Sequence, residues 1–169
     1  MKVLIVSDSH GWQAPLQQVI ERHAEEVEQM IHVGDSQLPA DAEALLGVHT
    51  VAGNCDMPAE FVQERLLTWE NVQVWVTHGH LYGVKKSCQT LVAAAKGKGV
   101  PVVVYGHTHV AISEMVDGVL CINPGSIRLP RGYEHGTYCI VDVNEGAIAV
   151  CYFTIEGRVV EEMSRTFSL

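Results

Sequence analysis

Five short polar clusters hold the residues of this chain best suited to chemistry: Asp8-Ser9-His10, Gly34-Asp35, Gly53-Asn54-Cys55-Asp56, His78-Gly79-His80 and Gly106-His107-Thr108-His109. Together they offer carboxylates, imidazoles and one carboxamide. A pair of divalent cations about 3.5–4 Å apart needs a bridging carboxylate and further ligands that stay unprotonated at neutral pH. Asp and neutral His meet both needs, so the expected chemistry is metal-assisted hydrolysis of a phosphate ester. Oxygen and nitrogen donors without a cysteine cluster favour Mn, Fe, Zn, Co or Ni over a thiolate zinc site. D-x-H and H-x-H would place alternate residues on one side of an extended segment, so that two ligands converge from one loop. A lone D-x-H or G-D is a common pattern and says little. The weight lies in five such clusters, each beginning where an apolar run stops.

Those runs must position the clusters. Lys2–Ser7 reads as a buried strand, and residues 12 to about 28 as a helix with apolar residues at Leu16, Val19, Ile20, Ala24 and Val27 and with Pro15 in its first turn. Gln29–Val33 is a second strand, Ala40–Leu46 helical in composition, and Val48–Ala52 a third strand. Phe61–Trp69 and Val72–Thr77 read as paired strands, and residues 84 to about 96 as a second helix closed by Gly97 and Gly99. Pro101–Tyr105 is another apolar strand. Beyond it, Ala111–Val116, Val119–Ile122, Thr137–Val143, Ala147–Thr154 and Arg158–Phe167 alternate with turn signals such as Asp117-Gly118. A β-α-β-α first half and a mostly antiparallel second half suit two packed sheets with helices outside. Parallel strands would bring all five clusters to one sheet edge, where ligand loops gather in α/β folds.

The 169 residues suit a single domain, 1–169, with a sizeable core. Charged residues make up 18% and apolar residues 47%, which argues against disorder. The net charge of −9 argues against broad nucleic-acid binding, which needs cationic surface. It does not exclude a small phosphate substrate, because two cations would reverse the field locally. No apolar run is long enough to span a bilayer, and residues 1–6 lead into Asp8 without a cleavage signal, so a cytoplasmic location is expected. Five cysteines without a C-x-x-C pair fit a reducing compartment.

The motifs D-x-H, G-D, G-N-C-D, H-G-H and G-H-T-H, with Asn123-Pro124-Gly125-Ser126 and Leu129-Pro130-Arg131-Gly132 after them, make the chain resemble the calcineurin-like metallophosphoesterases. The match is to the small single-domain bacterial and archaeal phosphodiesterase branch, and it covers nearly the whole chain. The resemblance implies a four-layer α/β/β/α sandwich of two mixed sheets with flanking helices. It implies that Asp8, His10 and His109 hold one ion, that Asn54, His78 and His107 hold the other, and that Asp35 bridges them. Mn2+ is the expected ion, with Ni2+, Zn2+, Fe2+ and Co2+ as alternatives, and a hydroxide held between the ions is the expected nucleophile. Asn54 and His80 are the candidate catalytic residues, His80 lying beside the substrate. Asp56 could orient Asn54 or His80.

Many members of the wider superfamily carry His where this chain has Cys55. A thiol donates a proton poorly beside cations, so diesters with acidic leaving groups should be preferred over alkyl monoesters. Arg128 and Arg131 are candidate phosphate clamps and Trp12 a candidate stacking surface, each with a plain surface role as its alternative. The expected partner is a small phosphate ester, with homo-oligomerisation open. Two other functions fit the same pattern. One is a phosphomonoesterase or nucleotidase. The other is a non-catalytic scaffold like a retromer subunit of this fold, although all seven ligand positions are filled here.

Overall fold

A computed structural model describes residues 1–57 and 59–168. Its strands are β1 (Lys2–Val6), β2 (Gln29–His32), β3 (His49–Thr50), β4 (Glu64–Trp69), β5 (Val72–Thr77), β6 (Val102–Val104), β7 (Ala111–Val116), β8 (Val119–Pro124), β9 (Thr137–Asn144), β10 (Ala147–Thr154) and β11 (Val159–Ser168). Its α-helices are α1 (Gln13–His23) and α2 (Gln89–Lys98). A six-stranded sheet runs β11-β10-β9-β1-β2-β3 and a five-stranded sheet runs β4-β5-β6-β8-β7. Both are mixed. β1, β2 and β3 are mutually parallel in the first sheet, as are β5, β6 and β8 in the second.

The inner strands, such as β1 and β6, are near-continuous apolar runs because both sheet faces are covered there. Val3, Ile5, Ile31, Val33 and Val51 from the first sheet meet Val74, Val76, Val102, Val104, Leu120 and Ile122 from the second in one core between the sheets. The alternate residues point outward. Leu4 and Val6 pack with Leu16 and Val19 of α1, while Trp75 and Val103 pack with Leu91, Val92 and Ala95 of α2. The result is the helix–sheet–sheet–helix layering expected from the sequence.

Local boundaries differ from the periodicity where loops compete for apolar residues. α1 stops at His23 rather than near residue 28. His23 Nε2 pairs with Tyr138 Oη at 2.7 Å, and residues 24–28 turn the chain so that Glu28 N–H reaches Lys2 O at 2.9 Å. α2 starts at Gln89 rather than residue 84. Val84 is buried, but within a turn where Lys86 N–H donates to Gly83 O at 2.9 Å. The helical composition of 40–46 yields only a 3-10 turn, Glu43–Leu45. The third strand is two residues long, continued by a single bridge from Val51 to Val62. β6 is parallel to both its neighbours, as delivery of the His107 cluster to the common edge requires. Among the described residues no helix is long and apolar enough to cross a membrane.

Candidate metal centre

The parallel strands bring the five clusters to one edge of the two sheets. β1 ends before Asp8, β2 before Asp35, β3 before Asn54, β5 before His78 and β6 before His107. Backbone bonds then tie the loops together: Asp8 N–H to Gly34 O (3.1 Å), His10 N–H to Asp35 O (3.0 Å) and Gly106 N–H to His78 O (3.1 Å).

D-x-H and H-x-H are not extended, contrary to the sequence expectation. Asp8 (φ 52°), His10 (43°), Asp35 (53°), His107 (66°) and His109 (62°) all adopt the left-handed conformation. Asp and His are among the few non-glycine residues enriched there. The alternation of left-handed residues folds each loop back over the strand ends. Such conformations cost about 1 kcal/mol or more each and persist where the surroundings enforce them, typically at functional sites. Two glycines work by leaving room. A Cβ on Gly53 would collide with the backbone N and carboxylate of Asp35, and one on Gly106 would lie 2.9 Å from Asp8 Oδ2 and closer still to Ser7 Oγ.

Each carboxylate is held by one oxygen. Asp8 Oδ2 accepts from Ser7 Oγ (2.5 Å) and His107 N–H (3.2 Å), leaving buried Oδ1 without a hydrogen bond. Asp35 Oδ1 accepts from Cys55 N–H at 2.7 Å, leaving Oδ2 facing His78 Nε2 at 3.3 Å and His10 Nε2 at 4.0 Å. Asp8 Oδ1 lies 3.1 Å from His109 Nε2, outside hydrogen-bond geometry, and 3.8 Å from His10 Nε2. Burial works against the ionised form of both acids, but the imidazoles and hydrogen bonds around them win, so both stay below the usual carboxylate range.

Three imidazoles are locked by their other nitrogen. Nδ1 of His10 meets Gln37 Oε1 (2.7 Å), Nδ1 of His78 meets Val33 O (2.7 Å) and Nδ1 of His109 meets Leu129 O (2.8 Å). Each partner accepts only, so Nδ1 carries a proton, and it is the Nε2 of each ring that turns inward and offers a lone pair to a metal ion. His10 and His109 then confront each other Nε2 to Nε2 at 3.4 Å, and buried His78 Nε2 has no hydrogen-bond partner. Lone pairs and free carboxylate oxygens converge with nothing between them to donate. Without a cation, protons must fill the gap: against the effect of burial, Asp35 and Asp8 raise the His78 pKa, while the facing Asp8 carboxylate raises that of His109. A cation satisfies the same atoms by coordination, so the donor set fits the divalent ions expected of it.

The donor atoms fall into overlapping groups, each with its atoms within 4.8 Å of one another: Asp8, His10 and His109; Asp35, His78 and His107; and His10, Asp35 and Cys55. The first group is the three-residue set expected for one ion, and the second holds three of the four residues expected around the other. Burial, with help from His78 and Lys85, takes the His107 imidazole down to about 4, so its ring is neutral at pH 7. Asn54 is exposed, its Nδ2 donating to Cys55 Sγ at 3.2 Å. His80 is half-buried, its ring 5.5 Å from that of His78 and 6.1 Å from that of His107. Burial, then the facing Asp35 carboxylate, push the Cys55 thiol up to about 11.

Several supporting residues were not read from sequence in these roles. Asp56 orients neither Asn54 nor His80. It accepts from the backbone N–H of Asp35 (2.8 Å), Gln37 (2.7 Å) and Gly53 (2.7 Å) and from Ser36 Oγ (3.0 Å). Gln37, itself left-handed, fixes the His10 ring. Asn123 Nδ2 holds Gly106 O and Thr108 Oγ1, both at 3.0 Å, and Ser126 Oγ donates to Asp8 O at 2.8 Å, which gives the N-P-G-S segment its task. Arg128 is engaged with the His10 carbonyl, its guanidinium 5.6 Å over the Trp12 ring. His135 sits against Tyr133, ring centroids 6.0 Å apart.

His32, also behind the loops, is fully buried; its Nδ1 accepts from Gly34 N–H (3.2 Å) and its Nε2 meets Ser9 Oγ (2.9 Å). Burial takes its pKa down to about 4 from the ordinary 6.5. A depressed imidazole stabilises the fold fully above the unfolded value, and that contribution fades as pH falls from 6.5 toward 4, because only the unfolded chain takes the proton readily. The metal-free protein is therefore expected to lose about 2 kcal/mol through His32 between pH 7 and pH 5. Urea midpoints at the two pH values should show a correspondingly smaller drop in His32→Asn; equal drops would refute it.

Comparison with known proteins agrees with this geometry. Residues 1–146 match the calcineurin-like phosphoesterase superfamily domain, and the chain belongs to that superfamily. It is 41% identical over 169 residues, 100% of both chains, to a probable metallophosphoesterase, YsnB, of Bacillus subtilis. It is 29% identical to the phosphodiesterase YfcE of Escherichia coli K12, over 84% of this chain and 88% of that one. A crystal structure of a conserved uncharacterized protein from Streptococcus pneumoniae, a predicted phosphoesterase, superposes with a TM-score of 0.93 at 30% identity, covering 99% of this chain and 97% of the other. A single mutant of Vps29 from Entamoeba histolytica shares the fold at 20% identity, TM-score 0.80, over 100% of this chain and 99% of that one.

Proposed function

We propose that this chain is a dinuclear metal-dependent phosphodiesterase, with Asp8, His10 and His109 holding one ion, Asn54, His78 and His107 the other, and Asp35 shared between them. The observation that carries the proposal is the convergence of the His10, His78 and His109 Nε2 atoms, each ring fixed by its Nδ1, on the unpartnered Asp8 Oδ1 and on Asp35 Oδ2. When bound, a pair of divalent cations supplies an acidified water as nucleophile and neutralises charge growing on the phosphoryl oxygens. The chain's own residues fix the donors by their far atoms and keep the loops from relaxing. His80 and the Asn54 carboxamide lie at the rim, where they can meet a bound phosphoryl group. Mn2+ is the ion we propose, on a donor set of oxygen and nitrogen. Cys55, protonated and facing Asp35, is a poor acid for an alkoxide leaving group, which favours diesters with acidic alcohols. Free cysteines suit a cytoplasmic setting.

The test is hydrolysis of paired aryl mono- and diesters by metal-stripped protein, with Mn2+, Ni2+, Zn2+ or Mg2+ restored singly. Turnover is expected only with metal, and faster on the diester. Cys55→His should improve the substrate with the poorer leaving group. Monoester preference would make the protein a phosphomonoesterase; no turnover with any metal would leave the scaffold role that the Vps29 likeness suggests.

A further inference from the structure

A cavity of about 330 Å3 opens beside the centre, lined by Gln37, Leu38, Pro39, Cys55, Met57 and Glu60. Two of its lining residues reach the donor cluster. Cys55 Sγ belongs to the group that includes His10 and Asp35, and Gln37 holds His10 Nδ1 at 2.7 Å. The remaining wall is apolar except at Glu60, whose Oε2 accepts from Ala40 N–H at 2.9 Å. Met57, 71% exposed, leaves its apolar side chain accessible from solvent at the cavity wall. The cationic side chains Lys85 and Arg131 line a different cavity, formed by loops of the second sheet with Val84, Tyr105 and Thr108.

We infer that this cavity selects the organic group of the substrate: an uncharged, apolar ring of aryl or nucleobase size, carrying no second anion. This rests on the phosphodiesterase reading and narrows it. Leu38, Pro39 and Met57 supply the apolar contact, the volume has room for a ring, and Glu60 repels a carboxylate or phosphate attached to it. Specificity of this kind works as much by the repulsive group as by the contacts.

Two symmetrical substrates make the identity of the entering ring unambiguous: bis(4-nitrophenyl) phosphate, and the same diester with a carboxylate on each ring. The metal-loaded wild type is expected to favour the neutral diester at least about tenfold in kcat/KM, a gap that Glu60→Lys narrows or reverses. Met57→Glu should raise KM for the neutral diester about tenfold with kcat little changed. Leu38→Glu should do the same, but Leu38 is partly buried, so exposed Met57 is the safer variant. A second readout needs no turnover: the Met57 methyl NMR signal should shift on titration with diphenyl phosphate, a shift that Leu38→Glu weakens, and should not move with dimethyl phosphate. Active enzyme with KM unmoved by all three substitutions and no methyl shift would overturn the cavity assignment and leave the phosphodiesterase standing. A methyl shift without turnover under any metal would keep the cavity and overturn the phosphodiesterase.

Discussion

Asp35→Asn is expected to abolish hydrolysis and to cost the protein both ions rather than one. Asp35 Oδ2 faces histidines of both halves of the centre, His78 Nε2 at 3.3 Å and His10 Nε2 at 4.0 Å, whereas Asp8 Oδ1 lies nearest its own half, 3.1 Å from His109 Nε2 against 4.0 Å from His78 Nε2. Asn is isosteric and keeps an oxygen for the Cys55 N–H, so the loop should hold its shape. Its amide then presents N–H groups where the inner oxygen stood, removes a negative charge and bridges nothing. Loss of about 10³-fold or more in kcat/KM is expected, about 4 kcal/mol of transition-state stabilisation. His10→Ala, by contrast, removes a donor from the Asp8 half and should spare the ion held by His78 and His107. Metal content per chain after dialysis separates the cases: two ions for wild type, about one for His10→Ala, fewer for Asp35→Asn. An Asp35→Asn protein that kept two ions and activity within tenfold of wild type would refute the shared role.

What the sequence could reveal follows from where each residue's partners lie. Val3-Leu4-Ile5-Val6 and Val102-Val103-Val104 are legible as strands buried on both faces, because an unbroken apolar run leaves few other options. The ligand candidates are legible because their chemistry is their own: an imidazole after a strand needs no neighbour to look like a ligand. The start of α2 was not, since Val84 satisfies helical spacing but spends its burial in a turn against Gly79 and Tyr105. Nor was the left-handed backbone at Asp8, His10, His107 and His109, because residue type permits that conformation without requiring it. The supporting shell was least legible of all. Gln37, Ser126 and Asp56 act on atoms of distant loops, and most of those atoms are backbone, which every residue has.

Asp56 gives that shell its sharpest test. Its two oxygens collect four donors from two loops: Asp35 N–H and Gly53 N–H on Oδ2, Gln37 N–H and Ser36 Oγ on Oδ1. Asp35 N–H and Gln37 N–H flank two separate parts of the centre, the carboxylate facing both halves and the amide that fixes His10. Asp56→Ala strands all four donors, and hydrogen bonds to a charged group contribute about 1.5–3 kcal/mol each, well short of additively once water enters. A loss of about 3–5 kcal/mol in unfolding free energy is expected, which lowers Tm by roughly 10 °C in a domain of this size. Metal affinity should fall about 10–100-fold although no donor atom has changed, the usual scale for groups that orient ligands from behind. Ser36→Ala, which removes one of the four bonds, should cost about 1 kcal/mol and little affinity. Urea denaturation of the metal-free proteins and Mn2+ titration of the refolded ones read the two effects separately. If Asp56→Ala unfolds within about 1 kcal/mol of wild type and binds Mn2+ equally well, the left-handed backbone at Asp35 must be held by the strand ends alone, with the clamp incidental to it.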